Sequence, residues 1–312
     1  MHFPKLIAAA LSAGILAAPT HAADLTGTLK KIKDSGAITL GVRESSVPFN
    51  YQDDKQSYQG YSLDLCMKIV EHVKKELGMP SLKVNLNPVT AATRIPLLAN
   101  GTIDMQCDGA SNTADRQKQV AFSPTVFMTG NRLLSKKSSN INSLADLKGK
   151  TIVSMSGTTN IKQIAQLNAE QKLGMNVITA TEHTEAFMMV DAGRAAAYAN
   201  DDIHLAALIA NAKNPGDYLI SKQPMSVDPY GLMLRREDPA FKKAVDTAII
   251  NLFKSGEINK IYAKWFQSPI PPKGINLNWP MSPQLRHAIA NPSDSPDPAA
   301  YALPAAQSAS KQ

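Results

Sequence analysis

Cysteine is nearly absent from the chain: Cys66 and Cys107 are the only two. Two thiolates cannot close a tetrahedral zinc site, and no histidine pair stands at metal-ligand spacing to complete one. Long apolar runs are lacking too. A membrane-spanning helix needs roughly 20 consecutive apolar residues, and no segment reaches that length. The phosphate-cradling G-x-x-x-x-G-K-[ST] and the metalloprotease H-E-x-x-H do not occur, and "GASNT" lacks the second glycine of a nucleophile elbow. The remaining Ser, His and Asp residues are too numerous for spacing to assemble a triad. No internal repeat stands out. Basic residues form no block either: the lysines are spread over helix-like stretches such as "KKIKD", "EHVKKEL" and "FKKAVD". That pattern is a soluble surface, not a nucleic-acid footprint.

At the N-terminus Lys5 precedes the apolar stretch "LIAAALSAGILAAP", and "THA" at 20–22 supplies a small residue at a cleavage edge. A charged start, an apolar middle and a small-residue exit make a secretory leader. Residues 1–22 are therefore expected to be removed as a signal peptide and the rest exported. The leader takes one of the 33 basic residues, leaving 32 against 26 acidic ones, or +6. In an oxidising compartment Cys66 and Cys107 are either bridged or two separate buried thiols.

Short apolar strands alternate with amphipathic helices, the α/β pattern. After "AITLGV", Leu63, Cys66, Ile69, Val70, Val73 and Leu77 fall on one helical face, with Ser62 as N-cap. "LKVNLNPV" alternates like a strand, "AATRIPLLANG" reads as a short helix, and "TIDMQC" as the next strand. A second unit of the same kind follows "NRLLSKK", and "PYGLMLRRED" returns as one strand before two closing helices. The chain is too long for one typical core. Lobe 1 is assigned to 23–131 and 229–290, and lobe 2 is inserted as 132–228. Extended segments near 129–134 and 226–233 then cross between lobes, a hinge beside a ligand cleft. Residues 291–312, rich in Pro, Ala, Ser and Asp, lack apolar periodicity and are expected to form a flexible tail.

Several polar positions stand just after these strands, where open α/β sheets place ligand contacts. Arg43 ends "AITLGV". Ser111 and Arg116 lie in "DGASNTADR", the second offering a planar fork that matches a carboxylate. "SGTTN", with Thr158 and Thr159, opens a helix and suits an anion. Asp201 follows "AAAYAN" and suits an ammonium group. Together these groups fit a zwitterion. Taken singly, each has an ordinary alternative. Arg116 also reads as an exposed helix charge, Asp201, Thr158 and Thr159 as N-caps, His183 as a locally bonded histidine, and Arg94 as half of a surface ion pair.

The ordered stretches "GVRESSVPFNY", "RIPLLANGTIDMQC", "ADRQKQVAFS", "DLKGKTIVSMSGTT", "GRAAAYANDD" and "FQSPIPPKGINLN" resemble the periplasmic solute-binding proteins of amino-acid ABC transporters, above all the glutamate/aspartate-binding branch. The resemblance spans about Leu29 to Leu285. It implies the type II periplasmic binding protein fold, two α/β lobes joined by a double crossover. It implies a ligand-binding set of Arg43, Arg94, Gly109, Ser111, Arg116, Thr158, His183 and Asp201. In that set Arg116 takes the α-carboxylate with help from Ser111 and Thr158, and Asp201 takes the α-ammonium. Arg43, Arg94 and His183 surround the side-chain carboxylate. Two departures accompany the match. "CDGASNT" stands where relatives often read "CGSTTNN", adding Asp108 near the site, and Ala91 and Ala92 replace a serine common before the "RIPLL" arginine.

The expected function is non-catalytic capture of an acidic amino acid in the periplasm and its delivery to a membrane permease. The chain is expected to act as a monomer with no cofactor, metal or nucleic acid. The alternative from another class is an exported dehydratase-like enzyme acting on a small carboxylate, with Asp108 or His183 as its acid or base.

Overall fold

The strand that carries Arg43 is the natural place to begin building. In the computed structural model, which describes residues 25–303, Ala37–Val42 lies inside a five-stranded sheet. Lys83–Pro88 and Met105–Gln106 flank it in parallel, and Met233–Arg235 and Val120–Phe122 complete the sheet antiparallel. The helix Tyr61–Leu77 covers this sheet with Leu63, Cys66, Ile69, Val70, Val73 and Leu77, all buried. Its N-terminus differs from expectation. Gly60, not Ser62, is the cap, because Pro48 and Phe49 carbonyls accept from the Tyr61 and Ser62 amides. Backbone acceptors brought from a distant turn make a side-chain cap unnecessary.

The second sheet runs in the order Asn176–Ala180, Thr151–Met155, Ala197–Asp201, Asn131–Lys136 and Tyr218–Ile220. The first three strands are parallel and the last two join antiparallel. Helices Thr159–Glu170, His183–Asp191 and Asp202–Asn211 belong to this unit, and separate apolar clusters fill the space beneath them. The result is a two-domain mixed α/β fold.

Between the sheets the chain crosses twice. Phe127–Thr129 and Asp228–Tyr230 pair as an antiparallel ribbon in the register Thr129 with Asp228 and Phe127 with Tyr230. "PYGLMLRRED" is therefore two short strands instead of one: its first part belongs to the ribbon and Met233–Arg235 to the first sheet. Phe127 and the rings of Phe49, Tyr61, Tyr262 and Phe266 pack edge-on and stacked behind the ribbon.

The assignment of 291–312 to a flexible tail is corrected for residues 291–303. The Ser293 carbonyl accepts from the Thr125 amide at 2.8 Å, and the Asp294 carbonyl accepts from Asn112 and Gln117 side chains. Tyr301 is 1% exposed, and its hydroxyl accepts from Thr125. A search for apolar periodicity misses such a segment, which is held by backbone carbonyls and one aromatic anchor. Residues 304–312 and the leader at 1–22 lie outside the described residues. Among the described residues no helix is long and apolar enough to cross a membrane.

Cys66 and Cys107 are bridged, tying the helix Tyr61–Leu77 to the end of the strand Met105–Gln106 across 41 residues of sequence. Closing a loop of this length constrains the unfolded chain by roughly 3–4 kcal/mol. Replacing both residues with alanine is expected to lower unfolding free energy by about that amount, read as a lower urea midpoint. Reductant should then shift the parent protein and leave the double variant unmoved.

Candidate functional site

Strand ends from both sheets converge. Arg43 directly follows Ala37–Val42, and Asp108 and Gly109 follow the strand Met105–Gln106. Thr158 follows Thr151–Met155 and caps the next helix through its hydroxyl, which accepts from the Ile161 amide. Asp201 closes Ala197–Asp201. The side chains meet around a cavity of about 20 Å³. From the first lobe Arg94, Asp108, Gly109, Ser111 and Arg116 line it, together with Tyr230 from the ribbon. Thr158, Thr159, Asn160, His183, Asp201 and His204 line it from the second. Seven of the eight residues expected at the site thus share one cavity, and Arg43 stands behind it against Asp108.

One end of the cavity pairs a guanidinium with a carboxylate. Arg116 donates to the Ser111 carbonyl at 2.9 Å and to the Gly157 carbonyl at 3.2 Å, so its fork is braced from both lobes. The Ser111 and Thr159 hydroxyls lie 3.2 Å apart across the same seam. Asp201 accepts from Asn160 at 2.8 Å and from the Tyr230 hydroxyl. Burial, with Asp228 adding its charge, pushes the Asp201 carboxyl up to about 6 despite those donors.

The other end holds two more guanidiniums. Arg94 donates to the Gly109 carbonyl at 3.2 Å, and its Nη1 lies 3.5 Å from Asp108 Oδ2. Arg43 Nη1 reaches the same oxygen at 3.8 Å, and its Nη2 donates to Glu182 at 2.9 Å. Burial, with Arg116 adding its like charge, brings the Arg94 guanidinium down to about 9. His183 is present, and its charged form is disfavoured. Burial, followed by His204 and the nearby arginines, pushes it well below the usual histidine range. Its Nδ1 sits 3.0 Å from the Tyr198 hydroxyl, and its ring stacks on His204 at 4.3 Å. The positive charge of this end therefore comes chiefly from arginine.

Two glycines make the close approach feasible. A Cβ at Gly109 would stand 2.4 Å from the Tyr230 ring. Gly157 has φ +76°, a conformation few other residues adopt, and a Cβ there would lie 2.6 Å from the Ala92 Cα of the other lobe. The backbone at Ala92 thus meets the second lobe directly.

Sequence reading missed several neighbours. Arg43 is partnered by Glu182, 139 residues away, while the adjacent Glu44 is exposed. Phe49 lies in the aromatic cluster behind the ribbon, not on the cavity wall. Asn160, Asn200, His204 and Tyr230 were not anticipated. His204 and Asn160 carried a usable signal, since each is within three residues of a predicted contact on the same helix start. Tyr230 is located only by the ribbon register.

Similar proteins share this arrangement of chain. Over 292 residues the chain is 52% identical to the L-glutamate/L-aspartate-binding protein of Pseudomonas aeruginosa, covering 93% of this chain and 97% of that one. It is 46% identical over 289 residues to the glutamate/aspartate import solute-binding protein of Escherichia coli K12, covering 93% and 96%. Among solved structures, an ancestral arginine-binding protein bound to arginine superposes with a TM-score of 0.68 at 28% identity, covering 74% of this chain and 98% of that one. All three are named as binding proteins. Residues 38–268 match the family described as bacterial extracellular solute-binding proteins, family 3, and the chain belongs to that family.

Proposed function

We propose that the protein captures glutamate or aspartate between its lobes and hands it to the membrane permease of an ABC importer. One observation carries this reading: buried guanidiniums stand at both ends of a single cavity, Arg116 with Asp201 at one and Arg94 backed by Arg43 at the other. Arg116, with Ser111 and Thr158, takes the α-carboxylate, and Asp201 takes the α-ammonium. Arg43 and Arg94 take the side-chain carboxylate, with His183 as an uncharged hydrogen-bond partner and Gly109 keeping the wall thin. The named relatives support an acidic ligand and transport, and none of them supports a dehydratase.

The cavity of about 20 Å³ has room for roughly one water. An amino acid enters when the lobes, taken as 23–131 with 229–290 and as 132–228, part about the ribbon. Their closure removes water from the ion pairs and presents one shape to the permease. The whole site lies in one chain, which suits a monomer. The leader at 1–22 directs the protein to the periplasm and is cleaved there.

Titration calorimetry with glutamate and aspartate tests the ligand, and mass spectrometry of the recovered ligand should find it unchanged. Absence of heat with both acids contradicts the assignment, and chemical turnover would restore the enzyme alternative. Arg116→Ala is expected to weaken both ligands by about 100-fold or more, because it strips the fork from a desolvated charge pair. Arg94→Ala should weaken them comparably and also lower the melting temperature, because buried Asp108 loses its nearer cationic partner.

A pH series gives a second check. A carboxyl raised by burial is protonated more readily in the folded chain than in the unfolded one. Asp201 therefore costs stability when ionised, a cost that appears as pH rises from the ordinary carboxylate range through about 6. Only the ionised form holds an ammonium group. Affinity for either amino acid should fall as pH drops below about 6, with proton release on binding near that pH, and Asp201→Asn should abolish the dependence along with most of the affinity.

A further inference from the structure

Asp108 has no task in capturing an acidic side chain and opposes it. Its carboxylate is 3% exposed and stands between two guanidiniums, with Oδ2 at 3.5 Å from Arg94 and 3.8 Å from Arg43. Its other oxygen, Oδ1, is buried and has no hydrogen-bond partner among the described residues. The same residue lines the ligand cavity. Buried acceptors rarely go unpaired, because desolvation without a donor is costly. An unpaired acceptor on a residue that lines the cavity offers a partner to a donor that enters it.

Charge counting points the same way. At this end Arg43 and Arg94 are already balanced by Asp108 and Glu182, and the neighbouring His183 and His204 both have their charged forms disfavoured by burial. A side-chain carboxylate offers only acceptors. Placed at the two guanidiniums, it finds their Nε–H groups, unpartnered among the described residues, but meets the negative charge of Asp108. A carboxamide offers one acceptor and two N–H donors. Its oxygen can take a guanidinium N–H while its NH₂ donates to Oδ1 of Asp108.

We infer that Asp108 makes this end of the cavity a receptor for carboxamide side chains, so that glutamine and asparagine bind alongside the acids and Asp108 sets the choice between them. The inference rests on the ligand orientation proposed above, with Arg116 and Asp201 at the α-groups. It goes beyond that reading because the acidic ligands leave Asp108 only a counter-ion to Arg43 and Arg94, with its Oδ1 unused.

Calorimetry of the parent, Asp108→Asn and Asp108→Ala proteins with glutamate, aspartate, glutamine and asparagine tests it. Asp108→Asn keeps an acceptor and removes the charge. The ratio of glutamine to glutamate Kd should then rise by about tenfold or more, mostly through tighter glutamate. Asp108→Ala removes the acceptor as well, and glutamine should weaken by about tenfold or more. A ratio within about twofold of the parent value in a folded Asp108→Asn protein overturns the inference, since like-charge repulsion should not vanish unnoticed. A parent protein whose melting temperature glutamine does not raise at saturating concentration also overturns it, whatever the variants do. If glutamine binds, Asp108→Ala loses it, and neither acid binds any form, Asp108 is a carboxamide receptor, but its role in choosing between amides and acids is overturned together with the acidic assignment.

Discussion

Guanidinium groups taken out of water must keep their partners, and the cleft is organised around that requirement. Arg43, Arg94 and Arg116 are all at least nine-tenths buried, where an ion without compensation is costly. Compensation comes partly from the same lobe, through Asp108 and the Ser111 and Gly109 carbonyls. The rest comes from across the seam, through Glu182 to Arg43 and the Gly157 carbonyl to Arg116. Closing the lobes and neutralising the arginines are consequently one event.

The architecture holds each arginine in register with this task. Arg43 extends a strand that is hydrogen-bonded on both sides. Asp108 is the residue after a bridged cysteine, so its position is fixed by covalent connection to the helix Tyr61–Leu77. Asp201 ends a central strand of the other sheet. Rigid elements place the groups, and the two-strand ribbon is the narrow connection about which they separate.

Much of this was visible beforehand, for a physical reason. Strand alternation and helical faces are local patterns, so the elements carrying Arg43, Thr158 and Asp201 could be located from short windows. The six ordered stretches then placed those residues around one cleft. What escaped depends on contacts far apart in the chain. Glu182 beside Arg43 and Tyr230 beside Asp201 have no local signature. The disfavoured charge of His183 arises from burial and from a stacked second imidazole, neither of which a residue count reveals. The segment after residue 290 was misjudged because its hold on Thr125, Asn112 and Gln117 runs through main-chain carbonyls that every residue type possesses.

Gly157 and Ala92 meet with main chain against main chain, leaving no space for even one extra carbon. Side chains at a seam can change rotamer to tolerate a deeper or shallower approach, whereas backbone cannot. The seam therefore sets a mechanical limit on how far the lobes can close.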